Sequence, residues 1–329
     1  MTDLSVKYMG LQLKNPVIIG SSGLTNSVEK IRDLEENGAA AVVLKSLFEE
    51  QIAYETEMNL GSNDTNYPVD MGYIKEYSKD HYLSDYIDLI ESVKKNAGIP
   101  VIASINCFSD KEWISYARNI EKAGADALEL NISLLPVDET KDSRDYEKIY
   151  FNLIEKIDKT VSVPLALKIG CFSSGLANLI QKISWTKNVN SMVLFNRYYN
   201  PDFDINNYEF RATNILSTPE EISTSLRWIA LLSGRVQCDL VASTGIHTAE
   251  GVIKQLLAGA NAVQVVSTIY KNGPGQIQVI LKELAKWMEE KGYNNINDFR
   301  GKMNHENTKD ATAFERVQFI KYYSMSDYY

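Results

Sequence analysis

The chain has 329 residues, of which 44% are hydrophobic and 23% charged, and its formal net charge is −9 at neutral pH. This composition is that of an ordinary globular protein and excludes a disordered or fibrous chain. Because the balance is acidic and no long run of lysine or arginine occurs, neither nucleic acid nor an anionic membrane is expected as the main partner. The length allows either about two domains or one (β/α)8 barrel of about 250 residues with additions.

No targeting or membrane signal is visible in the sequence. It has no apolar run of about 18 residues, and its first residues lack the charged and then apolar order of a secretory signal. We therefore expect a cytoplasmic protein. Cys107, Cys171 and Cys238 are odd in number and far apart, so they predict neither a disulfide framework nor a metal site.

A short apolar run, a polar connection and an amphipathic stretch recur through most of the chain. The apolar runs that predict strands are residues 15–21, 40–46, 101–106, 127–133, 165–170, 191–197, 239–245 and 262–268. Several are almost continuously apolar, as expected of strands covered on both faces of a parallel sheet. Between them lie helical patterns such as residues 111–122, and Gly38, Gly124 and Gly259 follow three of these patterns as helix stops. The alternation predicts an α/β fold, a closed (β/α)8 TIM barrel, over an open doubly wound sheet.

Three segments depart from this repeat. Residues 49–80 follow the second strand, with the next helix expected to start at His81, and residues 200–219 follow the sixth strand. Insertions at these strand ends predict covers over a barrel active site, although ordinary surface excursions are the alternative. We divide the chain into a barrel over residues 1–303 and a C-terminal tail over 304–329, which is either disordered or docked on a neighbouring subunit.

Polar residues end most of the predicted strands, and in a barrel these ends point into the catalytic mouth. They are Ser21, Lys45, Ser46, Asn106, Asn131, Ser133, Lys168, Asn196, Ser243, Thr244, Ser267 and Thr268. Two lysines among apolar walls need partners, because a buried ammonium without one is costly. An anionic or carbonyl-rich ligand would provide them; the alternative is an internal carboxylate such as Glu129.

The last two strands end in small residues, at positions 242–246 and 266–268. In barrels the loops after strands seven and eight often bind phosphate through backbone N–H groups, and small side chains allow the close approach. These ends therefore predict a cofactor or substrate that carries phosphate. The chain contains neither a P-loop nor a dinucleotide-binding glycine fingerprint, which disfavours nucleotide hydrolysis and Rossmann-type binding.

Taken together, these residues resemble the dihydroorotate dehydrogenase family, FMN-dependent barrels that oxidise dihydroorotate to orotate in pyrimidine biosynthesis. The similarity runs from residues 11–16 to 297–302 and is most specific at 42–46, 128–133, 167–168 and 244–270. It implies FMN as cofactor, a small-molecule substrate and a homodimer without membrane association. The cofactor-binding residues that it implies are Ser21, Ser22, Gly23, Lys45, Ser46, Asn131, Lys168, Ser243, Thr244, Gly245, Ile246, Ser267 and Thr268. The substrate-binding residues that it implies are Lys45, Asn106, Asn131 and Asn196.

The resemblance also implies catalytic roles, with two departures from the family pattern. Lys168 would stabilise the negative charge of the reduced flavin. The family places a Cys or Ser base in an Asn-x-Ser-Cys/Ser-Pro-Asn motif, whereas residues 131–136 put Leu134 at that position. Leucine cannot accept a proton, so we name the neighbouring Ser133 as the candidate replacement, with Tyr73 and Lys75 as alternatives. The asparagine of the family's substrate-binding stretch is also missing, at residues 73–80.

The sequence thus predicts oxidation of dihydroorotate, or of a related small substrate, by hydride transfer to flavin N5. Two alternatives remain at this stage. One is a barrel lyase or aldolase in which Lys168 or Lys45 forms a Schiff base with a phosphorylated carbonyl substrate. The other is a degenerate family member that binds flavin without turning over dihydroorotate, which the leucine at position 134 makes plausible.

Overall fold

A computed structural model describes residues 2–49, 71–107, 110–132, 134–198, 200–211, 213–308 and 314, with backbone alone over 71–80 and at 110. Beside the short strand Leu47–Phe48, which pairs with residues 105–106, eight parallel strands form the centre of the fold. They are β1 Val17–Ile19, β2 Ala41–Val43, β3 Val101–Asn106, β4 Ala127–Ile132, β5 Leu165–Ile169, β6 Ser191–Leu194, β7 Asp239–Ser243 and β8 Ala262–Val265. Each pairs with the next and β8 pairs with β1, so that the sheet closes. The predicted (β/α)8 barrel is confirmed.

Helices surround the barrel between successive strands. They are α1 Val28–Glu36, α2 Met71–Asn96, α3 Asp110–Lys122, α4 Ser143–Asp158, α5 Leu176–Thr186, α6 Ile222–Leu232, α7 Ala249–Ala258 and α8 Gln276–Lys291. Every residue of β1, β2 and β4 is buried, since the helices cover one face and the barrel interior the other. Gly38, Gly124 and Gly259 have φ angles of +104°, +90° and +114°, which confirms the predicted helix stops.

Most strands are shorter than predicted, and the end of β8 and the start of α2 also differ from the prediction. Strand β8 ends at Val265, and Ser267–Asn272 is a short helix, in which Ile269 N–H donates to the Val266 carbonyl instead of pairing with a strand. Helix α2 begins at Met71, ten residues before the expected His81. Tyr73 and Tyr77 have a helical spacing of four residues, but the polar residues around them conceal that pattern.

The additions to the barrel lie at both of its ends. A hairpin of Val6–Tyr8 and Leu11–Leu13 precedes β1, and Tyr8 is fully buried. After β6, the predicted insertion contains a second hairpin, Asp202–Asp204 with Glu209–Arg211. Most of the insertion after β2, residues 50–70, lies outside the described residues.

The start of the predicted tail packs against the barrel. Asn304 is buried, and the His305 N–H donates to the Ala230 carbonyl over 2.9 Å. Apart from Phe314, the tail beyond residue 308 lies outside the described residues, so the division at 303/304 stays a prediction. Within the described part of the chain, no helix is both long enough and apolar enough to cross a membrane.

Candidate active site

A cavity of about 270 Å³ opens at the carboxyl ends of the strands, where barrel active sites are built. It is lined by Ser21, Lys168, Asn196, Arg197, Ile215, Leu216, Ser217, Ser243, Thr244, Gly245, Ile246, Gln264, Val265, Val266, Ser267 and Tyr270. The structure thus brings together eight residues that the sequence predicted for the site: Ser21, Lys168, Asn196, Ser243, Thr244, Gly245, Ile246 and Ser267. Among the described lining residues the charged ones are Lys168 and Arg197, and none is acidic.

Lys168 projects from β5 into the barrel interior, and its side chain is 10% exposed. Its Nζ donates to Gln264 Oε1 over 3.1 Å and lies 3.7 Å from Glu129 Oε1. Gln264 Nε2 donates in turn to Glu129 Oε2 over 2.6 Å. The internal carboxylate considered from the sequence is therefore a partner of Lys168, and the ammonium also faces the cavity.

The predicted substrate residues fall into two groups. Asn131 lies near the end of β4, and Asn196 follows β6. The Nδ2 of Asn196 donates to Asn131 Oδ1 over 3.0 Å. Asn106 is half-buried at the end of β3, and Lys45 is exposed after β2. Asn196 lines the cavity of about 270 Å³, whereas Asn131, Asn106 and Lys45 do not. Their contacts with flavin or substrate stay predictions.

A chain of serines joins the ends of the first three strands. Ser21 Oγ accepts the Ser46 N–H over 2.8 Å, and the two hydroxyls lie 3.0 Å apart. The Ser46 hydroxyl lies 2.7 Å from that of Ser104. Ser22 accepts the Leu24 N–H as the cap of a short 3-10 helix. The predicted flavin-side serines are thus held by one another, which orients Ser21 at the edge of the cavity.

The loop after β7 forms the opposite wall with two consecutive residues at positive φ. Thr244 has φ +78° and Gly245 has φ +77°. A Cβ on Gly245 would lie 2.1 Å from the backbone nitrogen of Ile222, where α6 begins. Side chains rarely adopt this conformation, and a β-branched residue such as Thr244 does so at a cost. Thr244 and Gly245 both line the cavity, so this strained turn lies where the phosphate site was predicted.

The loop of residues 215–217 closes the cavity from above. The Ser217 N–H donates to Ser267 Oγ over 2.9 Å, and Lys271 Nζ donates to the Ser217 carbonyl over 2.8 Å. Thr268 is buried and donates to the His247 carbonyl, so it shapes the wall and does not line the cavity. Ser267 is the member of this predicted pair that faces the cavity.

Sequence reasoning assigned no site role to Arg197, which lines the cavity next to Asn196. Its Nε and Nη2 donate to the two carboxylate oxygens of Glu221 over 2.8 and 3.2 Å, and its Nη1 donates to the Ile215 carbonyl over 3.0 Å. Burial opposes ionisation of Glu221, but hydrogen bonds from Arg197 and Thr218 lower the pKa of this carboxyl below its ordinary value. The position of Arg197 directly after a predicted strand-end asparagine was the one signal in the sequence.

His247 lies two residues before α7 and is buried beside the cavity wall. Its Nε2 is 3.1 Å from the Ser217 hydroxyl. Burial lowers the pKa of His247, the charge of Lys271 lowers it further, and Ser217, Glu221 and Glu220 oppose this. The unfolded chain therefore takes up this proton more readily than the folded chain does. We expect the free energy of unfolding to fall as the pH drops below about 6.5, the ordinary histidine range, in denaturant titrations.

The matched variants for this prediction are His247→Gln and His81→Gln. His81 is exposed on α2 and pairs with Asp85. Removing His247 is expected to flatten the loss of stability between about pH 7 and pH 5, because the difference in proton uptake disappears. The exposed His81→Gln variant is the control for the loss of one histidine. Equal slopes in the parent and in His247→Gln would show that His247 does not contribute.

Leu134, at the position of the family's base, lines a different cavity. This cavity has a volume of about 300 Å³ and lies between α4 and the start of α5. Its lining residues are Leu134, Pro136, Lys141, Ser143, Tyr146, Glu147, Tyr150, Ile169, Gly170, Phe172, Ser173, Ser174, Leu176 and Leu179. Ile169 and Lys168 are neighbours in β5 and point to opposite faces, so this cavity lies outside the barrel wall. The predicted catalytic Ser133 lies outside the described residues.

The model of the family described as Dihydroorotate dehydrogenase matches residues 3–288. The chain belongs to the dihydroorotate dehydrogenase family. Members of this family are oxidoreductases that act on CH–CH bonds, and this class of enzyme was predicted from the sequence.

Curated relatives in the dihydroorotate dehydrogenase family span nearly the whole chain. A protein of Thermoplasma acidophilum named dihydroorotate dehydrogenase B (NAD(+)), catalytic subunit, is 25% identical over 309 residues, which are 92% of this chain and 99% of the relative. Dihydroorotate dehydrogenase A (fumarate) of Lactococcus lactis subsp. cremoris is 25% identical over 322 residues, 91% of this chain and 99% of the relative. A putative dihydroorotate dehydrogenase A (fumarate) of Aeropyrum pernix is 24% identical over 305 residues, 91% of this chain and 97% of the relative.

Proposed function

We propose that this protein binds FMN at the barrel mouth and oxidises dihydroorotate, or a related small substrate, by transferring a hydride to the flavin. The observation that carries this proposal is the set of donors around the cavity. Two cationic side chains, Lys168 and Arg197, face it together with the hydroxyls of Ser243 and Ser267, and no acidic residue does so among the described lining. Such a set fits a ligand that carries a phosphate and several carbonyl oxygens.

Bound FMN would supply the hydride acceptor, the N5 atom of its ring system. Residues 243–246 and Ser267 would hold the phosphate, with backbone N–H groups from the turn at positive φ. Lys168, which also lines the cavity, would stabilise negative charge on the ring. Ser21 would contact the flavin from β1, and Asn131 with Asn196 would orient the substrate.

The proton that leaves the substrate together with the hydride needs an acceptor. Leu134 has no proton-accepting group and lines the cavity outside the barrel wall. We propose that Ser133, the adjacent hydroxyl in the chain, takes this role. We also propose that the protein acts in the cytoplasm as a homodimer, as the resemblance to the family implies.

The Schiff-base alternative is disfavoured by the surroundings of Lys168. A Schiff-base lysine must be uncharged to attack a carbonyl, and such lysines are found in apolar pockets or beside other cations. Lys168 instead donates to the amide oxygen of Gln264 and lies 3.7 Å from the carboxylate of Glu129, surroundings unlike the apolar pockets of such lysines.

The decisive experiment is an absorption spectrum of the purified protein, with identification of the released cofactor, followed by anaerobic titration with dihydroorotate. We expect a flavin spectrum due to FMN and bleaching of that spectrum by dihydroorotate. FMN that is not bleached would overturn dihydroorotate as the substrate and favour the flavin-binding member without this turnover. A colourless protein that takes up no added FMN would overturn the whole proposal.

The phosphate position can be tested by placing a negative charge in each of the two cavities. Ser267→Asp is expected to raise the Kd for FMN at least a hundredfold, because a carboxylate would face the phosphate at close range. The control is Ser174→Asp, in the cavity outside the barrel wall, which should leave FMN binding within twofold of the parent. Fluorescence quenching of FMN measures both. Equal Kd values for the two variants would place the phosphate elsewhere.

A further inference from the structure

We infer that Glu129 and Gln264 are positioning residues, which hold the ammonium of Lys168 against the floor of the flavin cavity. This inference rests on the proposed function, because it assumes that FMN occupies that cavity. Neither residue was predicted to belong to the site, although Glu129 was considered as an internal partner for a lysine. Both lie in strands of the barrel, Glu129 in β4 and Gln264 in β8.

Glu129 sets the orientation of the Gln264 amide. Its Nε2 donates to Glu129 Oε2 over 2.6 Å, a short bond to a carboxylate that cannot donate in return. The amide oxygen must therefore turn the other way, where it accepts from Lys168 Nζ over 3.1 Å. Glu129 thus decides which end of Gln264 faces the lysine.

Lys168 retains N–H donors for a ligand in the cavity. An ammonium has three N–H donors, and Lys168 uses one on Gln264 while Glu129 Oε1 lies 3.7 Å away, beyond hydrogen-bond distance. The side chain of Glu129 is 1% exposed and does not line the cavity, so its oxygens make no direct contact with a ligand there. Lys168 and Gln264 both line the cavity. The buried carboxylate therefore stabilises the cation from behind and leaves N–H donors free to face a ligand.

Burial in the barrel strands holds Lys168 and Gln264 rigidly. Gln264 is 2% exposed and Lys168 is 8% exposed, and each lies in a strand of a closed barrel. Three side chains from β4, β5 and β8 are thus joined across the barrel interior. A lysine on a flexible stem loses much of its electrostatic effect unless its head group is held, because only fixed charges lower the energy of developing charge without reorganisation.

The test uses sulfite, which adds to N5 of oxidised flavins and leaves negative charge on the ring, so that its Kd reports a fixed cation nearby. Gln264→Met in the FMN-loaded protein keeps the net charge and similar volume but removes the bridge. We expect it to raise the Kd for sulfite at least fivefold and to lower the reduction potential of the bound FMN. The same substitution in the Lys168→Met/Glu129→Gln background should change the Kd less than twofold.

Each outcome has a separate meaning. Equal effects of Gln264→Met in both backgrounds would overturn the positioning role, since a merely structural defect does not depend on Lys168. If the double-substituted background does not retain FMN, the potential of Gln264→Met alone decides, and an unchanged potential would overturn the inference. A parent protein that takes up no FMN would instead overturn the proposed function, and the inference with it.

Discussion

Lys168→Met is expected to lower the free energy of unfolding by about 3–5 kcal/mol, the usual cost of breaking a buried ion pair from one side. The reason is the carboxylate that stays behind. Glu129 is 1% exposed and keeps a hydrogen bond from Gln264 alone, so its charge would remain in the barrel interior without a cation. Urea titration of the protein without added flavin measures the loss and avoids a contribution from ligand binding.

Two controls make this prediction specific. Lys168→Met/Glu129→Gln removes both charges, and we expect it to recover most of the stability, because replacing a whole buried pair is often neutral. Lys254→Met breaks the exposed pair between Lys254 and Glu250 on α7 and should cost less than about 1 kcal/mol. If the double substitution were as unstable as Lys168→Met, the unpaired carboxylate would not be the cause.

Gly245→Ala is the second substitution with a large expected effect. Gly245 has φ +77°, which costs a residue with a side chain about 1–2 kcal/mol. The new Cβ would also lie 2.1 Å from the Ile222 nitrogen. Relieving such an overlap typically costs a further ~1–3 kcal/mol. We expect a total loss of about 3 kcal/mol or more in the free energy of unfolding. Because the overlap is with backbone, no side-chain rotation can relieve it.

The same substitution tests the role of the turn after β7. Moving this turn away from α6 would displace residues 244–246, which line the cavity and are proposed to hold the phosphate, so the Kd for FMN is expected to rise at least tenfold. Gly292→Ala is the matched control, with φ +74° and nothing within 4 Å of its Cβ. It should cost about 1–2 kcal/mol and leave FMN binding unchanged. A loss of stability in Gly245→Ala no greater than in Gly292→Ala would contradict the close packing against Ile222.

Much of the barrel was predictable because parallel strands buried on both faces must be apolar along their length. The eight apolar runs correspond to the eight strands, and the polar residues at their ends lie at one mouth since all parallel strands end on the same side. This explains why residues as distant as Ser21, Lys168 and Ser243 line one cavity. The errors were at boundaries, as at Ser267 and at the start of α2, where local hydrogen bonds and not periodicity decide.

The partners of the site residues were harder to predict. Gln264 lies inside an apolar strand pattern, and its contacts with Lys168 and Glu129 join residues 96 and 135 positions away. Arg197 pairs with the carboxylate of Glu221, which lies after the insertion that follows β6. Polar contacts of this kind depend on ångström-scale distances between strands and loops, which a one-dimensional pattern does not contain.

The sequence by itself determined the barrel class, the family, and which strand ends supply lysine, asparagine and serine to the mouth, since periodicity and residue type are local properties. Only the tertiary structure decided which partners, exposure and cavity each of these groups has. It paired Lys168 with Glu129 through Gln264, left Lys45 exposed, and placed Leu134 in a cavity outside the barrel wall. The physical reason is that a buried charge selects its partner by distance and burial, and both are set by the closed barrel as a whole.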